Sequence, residues 1–143
     1  MKLLECHSEA LGMESGIITD GQITASSQYN DNHAAVQGRL HFKKNGSKTG
    51  AWSARSVDGN QWLQVDLGNQ YTRVTRVATQ GRNGHTQRVT KYRLQYSDDE
   101  LSFLYYKEQG QAIEKVKIPS RFHTFYQMTL RSEEHTSELQ SQR

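Results

Sequence analysis

Residues 61–68 of this 143-residue chain read QWLQVDLG, a strict alternation that puts Leu63, Val65 and Leu67 on one face and Trp62, Gln64 and Asp66 on the other. A period of two is what a half-buried β-strand requires, because successive side chains point to opposite faces of a sheet. The pattern returns at residues 89–97 (VTKYRLQYS), where Tyr92, Leu94 and Tyr96 oppose Lys91, Arg93 and Gln95. Residues 72–79 (TRVTRVAT) are dense in β-branched side chains and read as a strand between these two. Residues 102–107 (SFLYYK) read as another, reached through a polar turn at Asp98, Asp99 and Glu100. Together they predict an antiparallel meander. Asn45-Gly46, Asp58-Gly59, Gly68-Asn69 and Asn83-Gly84 fall between the apolar runs, as exposed connecting loops demand. No stretch shows a sustained helical period; a single turn at residues 20–23, capped by Asp20, is the one exception.

A chain of this length has room for one domain with one core. Hydrophobic residues make up 34% of it, which is low, but seven Tyr, four Phe and two Trp supply large buriable surfaces. The 18 Lys and Arg slightly exceed the 15 Asp and Glu and are scattered rather than blocked. That pattern permits an acidic partner and argues against nucleic acid, since no zinc spacing or repeated aromatic-basic motif accompanies it. No apolar run is long enough for a transmembrane segment, and the opening residues lack the apolar core of a signal peptide.

Read in order, ALGMESGIITDGQITASSQY (residues 10–29), GRLHF (38–42), GAWSA (50–54), QWLQVDLG, VTRVATQGR (74–82) and VTKYRLQYSDD (89–99) resemble the discoidin family, the coagulation factor V/VIII type C domains. The combination at these spacings is more selective than any single motif. The resemblance implies an all-β, galactose-binding-domain-like jelly-roll β-sandwich whose loops at one end hold the ligand. It further implies extracellular binding without catalysis, the ligands across the family being phosphatidylserine membranes, glycans, collagen or a peptide's C-terminal arginine.

On this reading residues 1–9 are a lead-in carrying Cys6 and residues 10–118 a truncated discoidin-like domain. The family's disulfide joins an N-terminal Cys to one near the last strand, and Cys6 has no partner in this sequence, which implies a loss of about 2–5 kcal/mol. Residues 119–130 stand off the family pattern. Residues 131–143 (RSEEHTSELQSQR) resemble a translated sequencing adapter and are expected to be disordered.

Three loops are the candidate site. The first, residues 28–37, has a polar tip of Asn30, Asp31, Asn32 and His33 where membrane-inserting relatives carry bulky apolar side chains. Tyr29 stands where arginine-binding relatives keep an aromatic wall, but His33 replaces their Trp. Tyr29 either stacks on a sugar ring beside these amides or packs under the loop. The second loop, residues 43–49, brings Lys43, Lys44 and Lys48; the third, residues 81–88, brings Arg82, Asn83, His85 and Arg88. They read either as a cationic rim for acidic glycans or head groups, or as an ordinary solvated surface. Trp52, Trp62 and Arg39 are assigned to structure, with Asp66 as the partner of Arg39 inside the sandwich.

The six His show no zinc-ligand spacing, and Asp20 with Asp31 is too few oxygens to specify calcium, so no metal or cofactor is expected. No nucleophile elbow or phosphate loop occurs. The leading expectation is an adhesion module for a cell-surface or matrix glycan or glycoprotein. Peripheral binding to anionic phospholipid and a spacer role are the alternatives.

Overall fold

The computed structural model describes residues 10–68, 72, 74, 76–89, 92–108, 111–112 and 125–130, with backbone pairing alone for residues 107–108, 111–112 and 125–130. Seven strands occur among them: β1 (Ile23–Ala25), β2 (Gln61–Asp66), β3 (Tyr92–Ser97), β4 (Leu104–Tyr105), β5 (Lys107–Glu108), β6 (Gln111–Ala112) and β7 (Phe125–Leu130). A five-stranded antiparallel sheet runs β1-β2-β7-β3-β4, and β5 and β6 form a separate hairpin. Cys6 and residues 131–143 lie outside the described residues.

The apolar faces of β2 and β3 turn to the core as expected, although burial does not strictly alternate, since Gln64 and Ser97 on the opposite faces are buried as well. Leu63 and Leu94 are buried, Val65, Leu67, Tyr92 and Tyr96 pack beside them, and the core divides into two clusters. Ile18, Ile23, Trp52 and Leu63 form the first; Val74, Leu94 and Tyr106 form the second. Each buried large apolar side chain stabilises the fold by about 1.5–3 kcal/mol.

The meander is corrected. β3 and β4 pair, joined by the expected polar turn, in which Asp99 accepts from Leu101 N, Ser102 N and Ser97 Oγ. These three donors hold its carboxyl far below the usual carboxylate range. β2 and β3, however, are separated by β7, from the very segment set apart as off-pattern. The register suits the insertion: Met128 lies opposite both Leu63 and Leu94, and Tyr126 opposite both Val65 and Tyr96, so the alternating apolar positions of the strand sequence line up with those of both neighbours. Residues 72–79 do not form a strand among those described; Thr72 makes an isolated bridge, while Val74 and Val77 serve the second core cluster from outside any described strand.

Two smaller expectations also change. A 3-10 turn occurs at Asp20–Gln22, but Thr19 precedes it as the cap, its N–H and hydroxyl both donating to Gln22 Oε1. This frees Asp20 to receive Arg39, Nη2 to Oδ1 at 2.6 Å, while Arg39 Nη1 donates to Met13 O. Arg39 therefore pairs with Asp20 and not Asp66, whose Oδ1 caps the end of β2 by accepting from Gly68 N. Trp52 is fully buried and donates Nε1–H to Ser27 O at 2.8 Å, whereas Trp62, on the opposite face of β2 from Leu63, is only half-buried.

Candidate functional site

The first loop is built on two 3-10 turns, Asp31–His33 and Ala35–Gly38. Asn30 starts the first of them by accepting from Asn32 N through its side chain, which is the local bond that favours Asn at such positions. The same Oδ1 lies 2.8 Å from His33 Nδ1, and because that oxygen can only accept, Nδ1 carries the proton. His33 Nε2 is then a lone pair, and it faces Arg82 Nη2 of the third loop at 3.3 Å. Burial, and secondarily the Arg82 charge, lowers the His33 pKa below its ordinary value. The neutral Nδ1–H tautomer satisfies both neighbours.

Tyr29 does not pack under the loop. It is 64% exposed and makes a T-shaped contact with His33, ring centroids 5.3 Å apart and planes at 82°. Its backbone N–H is fixed to Ser53 O beneath the loop, which holds the exposed ring at the tip.

The second loop is tied to the first at its base. Thr49 N donates to Asn32 O at 2.9 Å, and Thr49 Oγ1 lies 2.7 Å from the same oxygen, 2.9 Å from Ala51 O and 3.2 Å from Gln37 Oε1. One hydroxyl proton serves these acceptors, and the shortest contact is to Asn32. Gln37 is 1% exposed and also donates to Asp31 O, so this buried amide supports the tip from below. The third loop joins through Asn83, whose Oδ1 accepts from Lys44 N and whose backbone bridges Gly50. A Cβ at Gly50 would stand 2.5 Å from Asn83 Cβ, so only glycine permits this approach.

The structure thus brings all three loops to one end. Tyr29, Asn30, Asp31, Lys43, Lys44, Lys48, Asn83, His85 and Arg88 are exposed there, while Asn32 and His33 are half-buried. Arg82 departs from its expected place on the cationic rim: it is half-buried, its Nη1 donating to Gln87 Oε1 at 2.7 Å and its Nη2 turned to His33. It braces the loops. Gln37, Thr49 and Ser53 hold the site together without having been singled out, since a buried amide or hydroxyl in a loop reads from sequence as ordinary loop polarity. Among the described residues no cluster of His, Cys, Asp or Glu could hold a metal ion, and no helix is long and apolar enough to cross a membrane.

Antiparallel strands carrying three interlocked polar loops at one end are the architecture of the discoidin fold. Among solved structures, discoidin II of Dictyostelium discoideum aligns at a TM-score of 0.68 with 21% identity, covering 83% of this chain and 51% of that one. The lectin domain of lectinolysin complexed with Lewis B antigen aligns at 0.57 with 17% identity, over 82% and 86% of the two chains. The family model of the F5/8 type C domain matches residues 22–131, and this chain belongs to that family. Rat (Rattus norvegicus) lactadherin is 42% identical over 118 residues, which cover 76% of this chain and 27% of the rat protein. Human (Homo sapiens) EGF-like repeat and discoidin I-like domain-containing protein 3 is 41% identical over 126 residues, 81% of this chain and 26% of the relative. The chain spans about a quarter of these relatives' length.

Proposed function

We propose that this domain is an extracellular recognition module that binds a cell-surface or matrix glycan or glycoprotein through its three loops, without catalysis. The observation that carries the reading is the tip itself. Tyr29 offers a largely exposed aromatic ring on a backbone fixed by a hydrogen bond, beside the amide of Asn30 and the carboxylate of Asp31. An aromatic face stacks on a pyranose ring, and neighbouring amides and carboxylates match sugar hydroxyls as donors and acceptors. The exposed Lys43, Lys44, Lys48 and Arg88 favour acidic sugars. A glycan array probed with the chain tests this. Binding is expected to drop at least tenfold when Tyr29→Ala and Lys44→Ala are combined; silence across the array, or binding indifferent to both changes, counts against it.

The same cations support a second reading, peripheral attachment to anionic phospholipid. It is shallow attachment, because Asn30 and Asp31 occupy the exposed tip where insertion would need apolar side chains worth about 1.5–3 kcal/mol each. Vesicle binding that requires phosphatidylserine and vanishes at high salt favours this reading, since exposed charges are screened beyond about 8–10 Å.

A further inference from the structure

We infer that Asn45 is an N-glycosylation site, so that the tip of the second loop carries a branched hydrophilic glycan at the recognition end of the domain. Asn45-Gly46-Ser47 is the one Asn-x-Ser/Thr sequence in the chain with x other than Pro, the pattern that marks an acceptor asparagine on an exposed loop of a secreted protein. The inference rests on the extracellular placement proposed above.

The structure presents this sequence as an acceptor should be presented. Residues 45–48 form a tight turn closed by Asn45 N to Lys48 O at 3.1 Å and Lys48 N to Asn45 O at 3.0 Å, and all four residues are exposed. Gly46 has φ +58, and a Cβ built there meets no atom within 4 Å, so the turn stands clear of the body. The Asn45 backbone is committed to the turn while no described residue bonds its side-chain amide. Asn30 and Asn83 differ, because the Asn30 amide oxygen fixes the turn of the first loop and that of Asn83 ties the third loop to the second. The amide that lies in an acceptor sequence is thus also one left unused by the fold.

The modification is a group transfer. Asn45 Nδ2 bonds to C1 of a diphosphate-linked oligosaccharide, the C1–O bond to the diphosphate breaks, the lipid diphosphate leaves with the electron pair, and the amide gives up one proton. The product keeps the amide neutral and adds bulk beside Lys44 and Lys48. Because the base of this loop is fixed to Asn32 and Asn83, that bulk stays at the same end as Tyr29. A glycan held there keeps a flat bilayer off the lysines, while a single chain of sugars can still approach the Tyr29 face from the side. Occupancy of Asn45 would then select a glycan or glycoprotein over a membrane.

The test expresses the full chain behind a cleavable secretory leader in eukaryotic cells. Intact mass and the shift on peptide-N-glycosidase treatment are read on total and secreted material, with Asn45→Gln, Ser47→Ala and Ser47→Thr alongside. One glycan is expected on the parent and on Ser47→Thr, and none on Asn45→Gln or Ser47→Ala. Bare polypeptide mass in the parent and in Ser47→Thr overturns the assignment, and the readout does not depend on folding, since transfer precedes it. Glycosylated chain and Asn45→Gln are then compared on phosphatidylserine–phosphatidylcholine vesicles at low salt, where at least fivefold weaker binding by the glycosylated form is expected. Equal binding, including none by either, overturns the selection. A silent glycan array with Asn45 occupied would remove the proposed function and leave the modification standing.

Discussion

Arg82 Nη2 lies 3.3 Å from His33 Nε2, joining the third loop to the first through a bond that exists only while the imidazole is neutral. Burial and the guanidinium both push the His33 pKa below its ordinary value of 6.5. The sign follows: a base that is harder to protonate in the folded state contributes stability that is present above about pH 6.5 and lost as pH falls through the lowered folded value. Protonated Nε2 then points a proton at a cation. NMR titration of the His33 ring is expected to show a midpoint below 6.5, and Arg82→Gln is expected to raise it by removing the neighbouring charge. A midpoint at or above 6.5 in the parent chain sinks this account of the loop contact.

The Arg39–Asp20 pair makes a second expectation. Arg39 is 12% exposed and Asp20 73%, so the pair is half in water and its coupling should fall near 1 kcal/mol, at the upper end for such contacts. Urea unfolding of Arg39→Gln, Asp20→Asn and the double variant is expected to show it. The parallel cycle with Asp66→Asn should give no coupling beyond about 0.3–0.5 kcal/mol. The reverse result would restore the pairing with Asp66.

Much of the sandwich was legible because its evidence is local. Leu63 and Leu94 declare a buried face by alternation alone, and Asp99 declares a turn by its side chain. The convergence of the loops followed from the family likeness, yet its means did not. Asn32 O, Thr49 N and Gly50 act through backbone groups and a missing Cβ, which carry no periodic signal. β7 was missed for a different reason: it alternates as well as β2 does, but strand order is a matter of long-range pairing, and a strand placed late in the chain can enter the middle of a sheet. The valines at 74 and 77 misled in the opposite sense, since both pack on the second core cluster without belonging to a described strand.

Trp52 is the largest fully buried side chain of the first cluster. Trp52→Ala should cost about 3–5 kcal/mol, read by chemical denaturation, because the vacated space cannot be filled by its neighbours. Trp52→Phe retains most of the volume and loses the bond to Ser27 O, costing about 1–3 kcal/mol. A Phe variant as damaged as the Ala variant would mean that the hydrogen bond, and not the packing, anchors the cluster.

Gly50→Ala and Gly46→Ala separate loop strain from loop contact. Gly46 sits at φ +58 in open space, so alanine there suffers backbone strain of about 1–2 kcal/mol and touches nothing. Gly50 lies outside the left-handed region, but its new Cβ would lie 2.5 Å from Asn83 Cβ and 3.1 Å from Asn83 N and O, forcing the second and third loops apart at about 1–3 kcal/mol. Amide hydrogen exchange tells the two apart. In Gly50→Ala the Lys44 N–H, which donates to Asn83 Oδ1, should exchange faster, while the Tyr29 N–H held by Ser53 O stays protected. In Gly46→Ala both should exchange as in the parent. Faster exchange at Lys44 in the Gly46 variant and not in the Gly50 variant would show that the turn, rather than the glycine-to-asparagine approach, holds the loops together.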